Sequence, residues 1–318
     1  MKRLAFVFPG QGSQRVGMGK AWAEAHAEAR QAFAAADAAL GEPLSRLCFD
    51  GPEADLQLTR NTQPAILAVS VAIHRVVAAR TGLRPALVAG HSLGEYSALV
   101  AAGALEFADA LRLVRQRGEL MQAAVPVGEG GMAAILGLDA EAVEAVAAAV
   151  SRDGEVCAVA NYNAPEQTVV AGHRLAIERA LVLARERGAK RVLPLPVSAP
   201  FHSPLMRPAR EALAPRLAAA EFRDPAVPVI SNVDAAPVAS GAAARDALER
   251  QVDSAVRWVE SVQWMATAGG IEMFLEIGPG AVLGGLIKRI VPGVAVASLS
   301  EPEALSAAIA AATNDDQR

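Results

Sequence analysis

Apolar residues along this chain keep two rhythms. Short, mostly apolar runs of strand length occur at Leu4–Phe8, Leu87–Gly90, Gly131–Leu138, Val156–Tyr162, Thr168–Ala171, Arg191–Leu195, Val227–Ser231 and Met273–Ile277. Between them lie longer segments whose apolar positions return every three or four residues. These predict helices over Gly19–Leu40, Ser92–Ala102, Phe107–Ala123, Ala140–Ser151, Leu175–Arg187, Pro204–Ala219, Val256–Ala268 and Gly280–Ile290. A further helix is expected from a Thr62 cap to Arg80, with Pro64 in its first turn. Short strands alternating with helices are the signature of α/β layering around a parallel sheet. After Pro126 the order becomes β-α-β-β-α-β, that of a ferredoxin-like unit, and the first pattern resumes beyond Pro200. The expected organisation is therefore a discontinuous large α/β domain, residues 1–127 and 198–318, interrupted by a ferredoxin-like small subdomain, residues 128–197. Asn314–Arg318 is expected to fray.

Composition narrows the classes. The 318 residues are 53% hydrophobic and 20% charged, enough for a sizeable core and too apolar for disorder. A net charge of −4 gives no footprint for nucleic acid. Cys48 and Cys157 are far apart and lack metal-ligand spacing, so they read as reduced core residues of a cytoplasmic protein, with no metal site expected. Met1-Lys2-Arg3-Leu4 leads at once into a strand rather than a signal peptide. Ala-rich runs such as Ala142–Val150 are interrupted by glutamate, so no membrane span is expected.

The densest chemical signal is Gly90-His91-Ser92-Leu93-Gly94, between an apolar strand and a helical segment. A serine with glycine at both second neighbours on a strand-to-helix turn is a nucleophile elbow, which makes the large domain hydrolase-like. The glycines let strand and helix approach closely enough to push Oγ outward. The following helix aims backbone N–H groups at the same spot, which suits a developing oxyanion. The plain alternative is a Gly-Ser turn that only caps a helix. A serine hydroxyl also needs a base. His26 and His74 sit in helical patterns, His173 at a strand end, and His91 beside the serine should point away from it. His202 lies where a strand ends and a helix begins, a junction at which a histidine either faces a cleft or caps the helix. Gly10-Gln11-Gly12 is not a dinucleotide fingerprint, because Arg15 stands where the third glycine belongs.

Seven motifs run in order along the chain: Phe8-Pro9-Gly10-Gln11-Gly12-Ser13-Gln14, Thr62-Gln63-Pro64-Ala65, Gly90-His91-Ser92-Leu93-Gly94-Glu95, Arg115-Gln116-Arg117-Gly118, Asn161-Tyr162-Asn163, Phe201-His202-Ser203 and Glu276-Ile277-Gly278-Pro279-Gly280. Together they resemble the malonyl-CoA:acyl carrier protein transacylases, the FabD family, over about residues 4 to 290. The resemblance implies that Ser92 is the acylated nucleophile and His202 its base. The base would be oriented by a backbone carbonyl at the position of Gln251. The backbone N–H groups of Gln11 and Leu93 would form the oxyanion hole, and Arg117 would clamp the malonyl carboxylate through two parallel hydrogen bonds. On helical pattern alone Arg117, like Arg112 and Arg115, reads as a solvated residue.

The same resemblance makes Gln63 a pocket residue and gives Asn161, Asn163 and Gln167 a structural part around the cleft. Phe201 would bear on acyl choice, since related polyketide acyltransferases carry phenylalanine here with malonyl and often a smaller residue with methylmalonyl. The partners implied are malonyl-CoA and an acyl carrier protein, and no cofactor is needed. Carrier proteins are typically acidic, so basic groups at Arg187, Lys190 and Arg191 and at Lys288 and Arg289 are candidates for docking, or else ordinary basic helix ends. Rival readings are a polyketide or malonate-decarboxylase malonyl transferase, a serine esterase or thioesterase, and a catalytically silent carrier-protein scaffold.

Overall fold

A computed structural model describes residues 1–197 and 199–313; Asn314–Arg318 lie outside the described residues. The strands are β1 (Leu4–Phe8), β2 (Pro85–Gly90), β3 (Gly130–Leu136), β4 (Cys157–Ala164), β5 (Gln167–His173), β6 (Arg191–Pro194), β7 (Val229–Ile230), β8 (Pro237–Val238), β9 (Met273–Ile277) and β10 (Ala295–Leu299). They form a six-stranded sheet ordered β10-β9-β1-β2-β7-β8 and a four-stranded sheet ordered β4-β5-β3-β6. In the first, only the short β7–β8 pair is antiparallel. In the second, every pair is antiparallel. The α/β class expected from the alternating pattern is what the chain adopts. The second sheet, with helices Ala140–Val150 and Arg174–Glu186, has the ferredoxin-like connection.

β1 and β9 are buried at every residue, because helices cover both faces of the parallel sheet and leave no polar side. Glu276 in β9 is the exception, and it is satisfied. Its carboxylate accepts from the backbone N–H groups of Leu283 and Gly284, both at 2.9 Å, and from the Ser298 hydroxyl. It thereby caps helix Val282–Ile290, where a negative charge suits the first turn. Helix Thr59–Arg80 is buried nearly all round and packs against helices Ala27–Leu40 and Phe107–Ala123. By length and composition it could cross a bilayer, but 78% of its most apolar window is buried inside the fold.

Several boundaries differ from the sequence pattern. Gly19–Leu40 is two helices, Lys20–Ala25 and Ala27–Leu40, separated by one extended residue, His26. The apolar rhythm continues through this break, so periodicity does not reveal it. Thr62 does not cap its helix, which begins at Thr59. Instead its hydroxyl donates to the carbonyls of Leu56 and Leu58 behind it, at 2.6 and 3.1 Å. Helix Gly241–Gln251, capped by Ser240, and strands β8 and β10 gave no clear signal. β10 is a half-buried, alanine-rich edge strand, and alanine carries little strand preference.

Candidate active site

The elbow stands where β2 ends and helix Gly94–Ala101 begins. Ser92 has φ +53°, the left-handed region that a side chain rarely adopts. A Cβ on Gly90 would lie 1.9 Å from the Gly94 carbonyl, and one on Gly94 would lie 2.0 Å from the Phe8 carbonyl oxygen. Only glycine lets β1, β2 and the helix meet this closely. Asn232, just past β7, braces the turn. Its Oδ1 accepts from the Ser92 backbone N–H and its Nδ2 donates to the Gly90 carbonyl, both at 2.7 Å.

Among the histidines, His202 is the one that reaches the serine. Its Nε2 lies 2.6 Å from Ser92 Oγ, and its Nδ1 lies 2.9 Å from the Gln251 carbonyl oxygen. A proton on Nδ1 donates to that carbonyl, which leaves the Nε2 lone pair facing the hydroxyl. Burial first, and the Arg117 charge second, push the His202 pKa down to about 3. The imidazole is thus neutral near neutral pH and able to accept a proton. The other four make no bond to the serine hydroxyl, although His91 also lines the cavity. His91 bonds Asn163 Oδ1 and packs edge-on against Trp258, and His74 packs edge-on against Phe6 and Phe8. His26 lies on Trp22, and His173 accepts from the Val156 N–H.

Arg117 is only 2% exposed, so the solvated reading of its helix fails at this residue. It projects from the buried face of helix Phe107–Ala123. Nη1 donates to Gln63 Oε1 at 2.9 Å, and Nη2 donates to Gln251 Oε1 at 2.8 Å and to Ser92 Oγ at 3.1 Å. None of these acceptors is a carboxylate. Its Nε has no partner among the described residues. The network also holds the buried carboxyl of Glu95, one residue past Gly94, which accepts from Gln251 Nε2 at 2.7 Å and from the Asn232 N–H at 3.1 Å. Burial pushes the Glu95 carboxyl up to about 7, against the pull of those hydrogen bonds. Sequence reasoning gave no role to Glu95, Asn232 or the Gln251 side chain. Their partners across the site lie 134 to 159 residues away, beyond any local pattern.

These side chains open onto a cavity of about 170 Å³, walled by Gln11, Leu93, Met121, Met132, Val197 and Phe201 together with the serine, histidine and arginine. No backbone hydrogen bond among the described residues uses the N–H of Gln11 or of Leu93. Asn161 and Asn163 reach the cavity from β4, so the four-stranded sheet forms one wall and the parallel sheet the other. Gln167 starts β5 and does not line it. The five basic candidates are exposed and also lie off the cavity lining. Arg187 ends helix Arg174–Glu186, and Arg191 begins β6. One member of each group reaches the β4–β5 turn, where Lys190 pairs with Glu166 at 2.9 Å and Arg289 bonds Gln167.

A serine on a strained elbow, a neutral histidine on its Oγ and a buried cation beside it define a class of protein, the serine-dependent acyl-transfer enzymes. The family model "Acyl transferase domain" matches residues 5–306. The chain is 51% identical over 309 residues to the malonyl CoA-acyl carrier protein transacylase of Escherichia coli strain K12, covering 97% of this chain and 99% of that one. The solved transacylase of the same name from Coxiella burnetii superposes with a TM-score of 0.96 at 43% identity, covering 98% of each chain. A malonyl-transacylase solved in complex with a type II PKS acyl-carrier protein has a TM-score of 0.94 at 47% identity, covering 97% of this chain and 99% of that one. The chain belongs to the malonyl CoA-acyl carrier protein transacylase family of acyl transferases.

Proposed function

We propose that this enzyme moves a malonyl group from malonyl-CoA to the phosphopantetheine thiol of an acyl carrier protein through an ester on Ser92. The observation that carries the reading is Arg117, a buried guanidinium 3.1 Å from the attacking oxygen and bonded to no carboxylate. An arginine held this way offers a planar fork to the free carboxylate of a dicarboxylic acyl group.

His202 Nε2 takes the Ser92 proton as Oγ attacks the thioester carbonyl. The N–H groups of Gln11 and Leu93 receive the oxyanion. The C–S bond then breaks, and the CoA sulfur leaves with the proton from His202. In the second half the carrier thiol gives its proton to the same nitrogen, sulfur attacks the ester carbonyl, and Ser92 departs with the proton. Serine and histidine supply these steps themselves, so the reaction as proposed calls on no metal or bound cofactor. Phe201 and Gln63 shape the acyl pocket. Arg187, Lys190, Arg191, Lys288 and Arg289 receive the carrier at the β4–β5 turn.

Incubation with malonyl-CoA, followed by intact mass and peptide mapping, should place one malonyl adduct on Ser92, and added holo-carrier should remove it. Rapid release of free malonate without a carrier would instead mark a hydrolase. The relative solved with a PKS carrier supports a second reading, with the same chemistry serving a polyketide carrier. Comparing kcat/KM for fatty acid and polyketide carriers decides between them.

A further inference from the structure

Gln251 is the hub of the site. Its backbone carbonyl accepts from His202, its Oε1 accepts from Arg117, and its Nε2 donates to Glu95 and to the Ser92 carbonyl, the last at 3.0 Å. It is fully buried at the C-terminal end of helix Gly241–Gln251. An amide has a donor end and an acceptor end, and here the surroundings dictate which faces where. In the observed orientation each contact joins a donor to an acceptor. Flipped, Nε2 would meet the Arg117 Nη2 donor at 2.8 Å, and Oε1 would meet the Glu95 carboxylate at 2.7 Å. Glu95 Oε2, which also accepts from the Asn232 N–H, calls for the donor end, as the Ser92 carbonyl does, while Arg117 calls for the acceptor end.

We propose that Glu95 is a positioning residue: its carboxylate holds the Gln251 amide with oxygen toward Arg117, and so holds the arginine ready for the acyl carboxylate. The Glu95 side chain does not line the cavity and bonds Gln251 and the Asn232 N–H rather than Arg117, so its link to the arginine's donors is the Gln251 amide. The arrangement also solves a problem of charge. A carboxylate bonded directly to Arg117 would occupy the donors a malonyl group needs. Placed one amide away, Glu95 leaves them open. This inference rests on the reading of Arg117 as the malonyl-binding cation.

The test measures single-turnover acylation of Ser92 by malonyl-CoA and by acetyl-CoA, which has no free carboxylate. Glu95→Gln keeps the shape but can offer Gln251 a donor in place of an acceptor, so the amide loses the shortest of the contacts that orient its nitrogen. Malonyl acylation should fall about tenfold to a hundredfold, the range of a charged hydrogen bond. Acetyl acylation should fall no more than about threefold, because the Gln251 backbone carbonyl still holds His202. A purely structural loss would lower both rates together. In a Gln251→Ala background, Glu95→Gln should change the malonyl-to-acetyl ratio no further, since the residue through which it acts is gone. An unchanged ratio in Glu95→Gln, equal losses for both acyl groups, or full additivity in the double variant each overturn the proposal. If Glu95→Gln fails to fold, Glu95→Asp decides by the same ratio, because it keeps the carboxyl but withdraws it one methylene from Gln251. Arg117→Ala, run in parallel, separates the two readings. Equal losses there remove the clamp and this proposal together, whereas a malonyl-selective loss there with none in Glu95→Gln removes this proposal alone.

Discussion

Arg117 is a cation buried without a directly bonded anion, which a fold tolerates only where a ligand can complete it. Removing it should therefore separate activity from stability. Arg117→Ala is expected to lose malonyl transfer by more than tenfold while sparing acetyl transfer, a difference of roughly 1.5–3 kcal/mol in transition-state binding. Arg117→Met fills the space without the charge and should raise the thermal midpoint by a few degrees, as apolar replacement of buried charge often does. A lowered midpoint would mean that the guanidinium stabilises the fold. At the catalytic pair, Ser92→Ala should abolish the acyl-enzyme and His202→Ala should slow it by several orders of magnitude, read by the mass assay. Local pattern marked Ser92, because elbow chemistry lies within five consecutive residues. It left His202 as one of five and painted Arg117 as solvated, because burial of a helix face depends on what packs there. Arg117 meets Gln63 and Gln251 at separations of 54 and 134 residues, and only the fold brings them together.

The elbow makes its own demand at the scale of elements. Three backbones converge at Gly90 and Gly94, with a hypothetical Cβ falling 2 Å or less from a carbonyl atom at each. Gly90→Ala must push helix Gly94–Ala101 and β2 apart, and should destabilise by about 3 kcal/mol or more. Gly131→Ala is the control: its Cβ would have nothing within 4 Å, so it should stay within about 0.5 kcal/mol of the parent in a denaturant melt. Elements with a strong period were legible in the sequence. β9 and helix Phe107–Ala123 have the bounds the pattern predicts, since each has one uninterrupted rhythm. β8, two residues long, and β10, rich in alanine, owe their strand form to neighbours in the sheet rather than to their own preference.

For the whole molecule, pH acts through groups that folding keeps uncharged. Burial pushes His74 down to about 4, and burial with Arg117 pushes His202 down to about 3. Above the ordinary histidine range neither state binds the proton and neither residue affects stability. Below it the unfolded chain takes up protons that the native state refuses, so stability falls from about pH 6.5 toward 4. Glu95 works the other way. Its raised pKa means that the native state binds a proton first as pH drops through 7, which offsets part of the loss. His74→Leu, outside the active site, should recover up to roughly 3 kcal/mol of the stability lost between pH 6.5 and 4, measured by denaturant melts at both ends. An unchanged acid limb would show that His74 is protonated in the native state. The layered α/β class was legible because it follows from periods of two and 3.6 residues. The order of strands was not, since β1 pairs with β9 across most of the chain.

Helix Thr59–Arg80 carries a consequence for the chain while it is being made. Its burial depends on helix Phe107–Ala123, which leaves the ribosome roughly 40 residues later, a delay of several seconds at about 5–20 residues per second. Through that interval a segment apolar enough to enter a bilayer has only half its cover. Codons that slow elongation between residues 81 and 123 should therefore increase chaperone-bound or membrane-associated nascent chains, while leaving the finished enzyme unchanged.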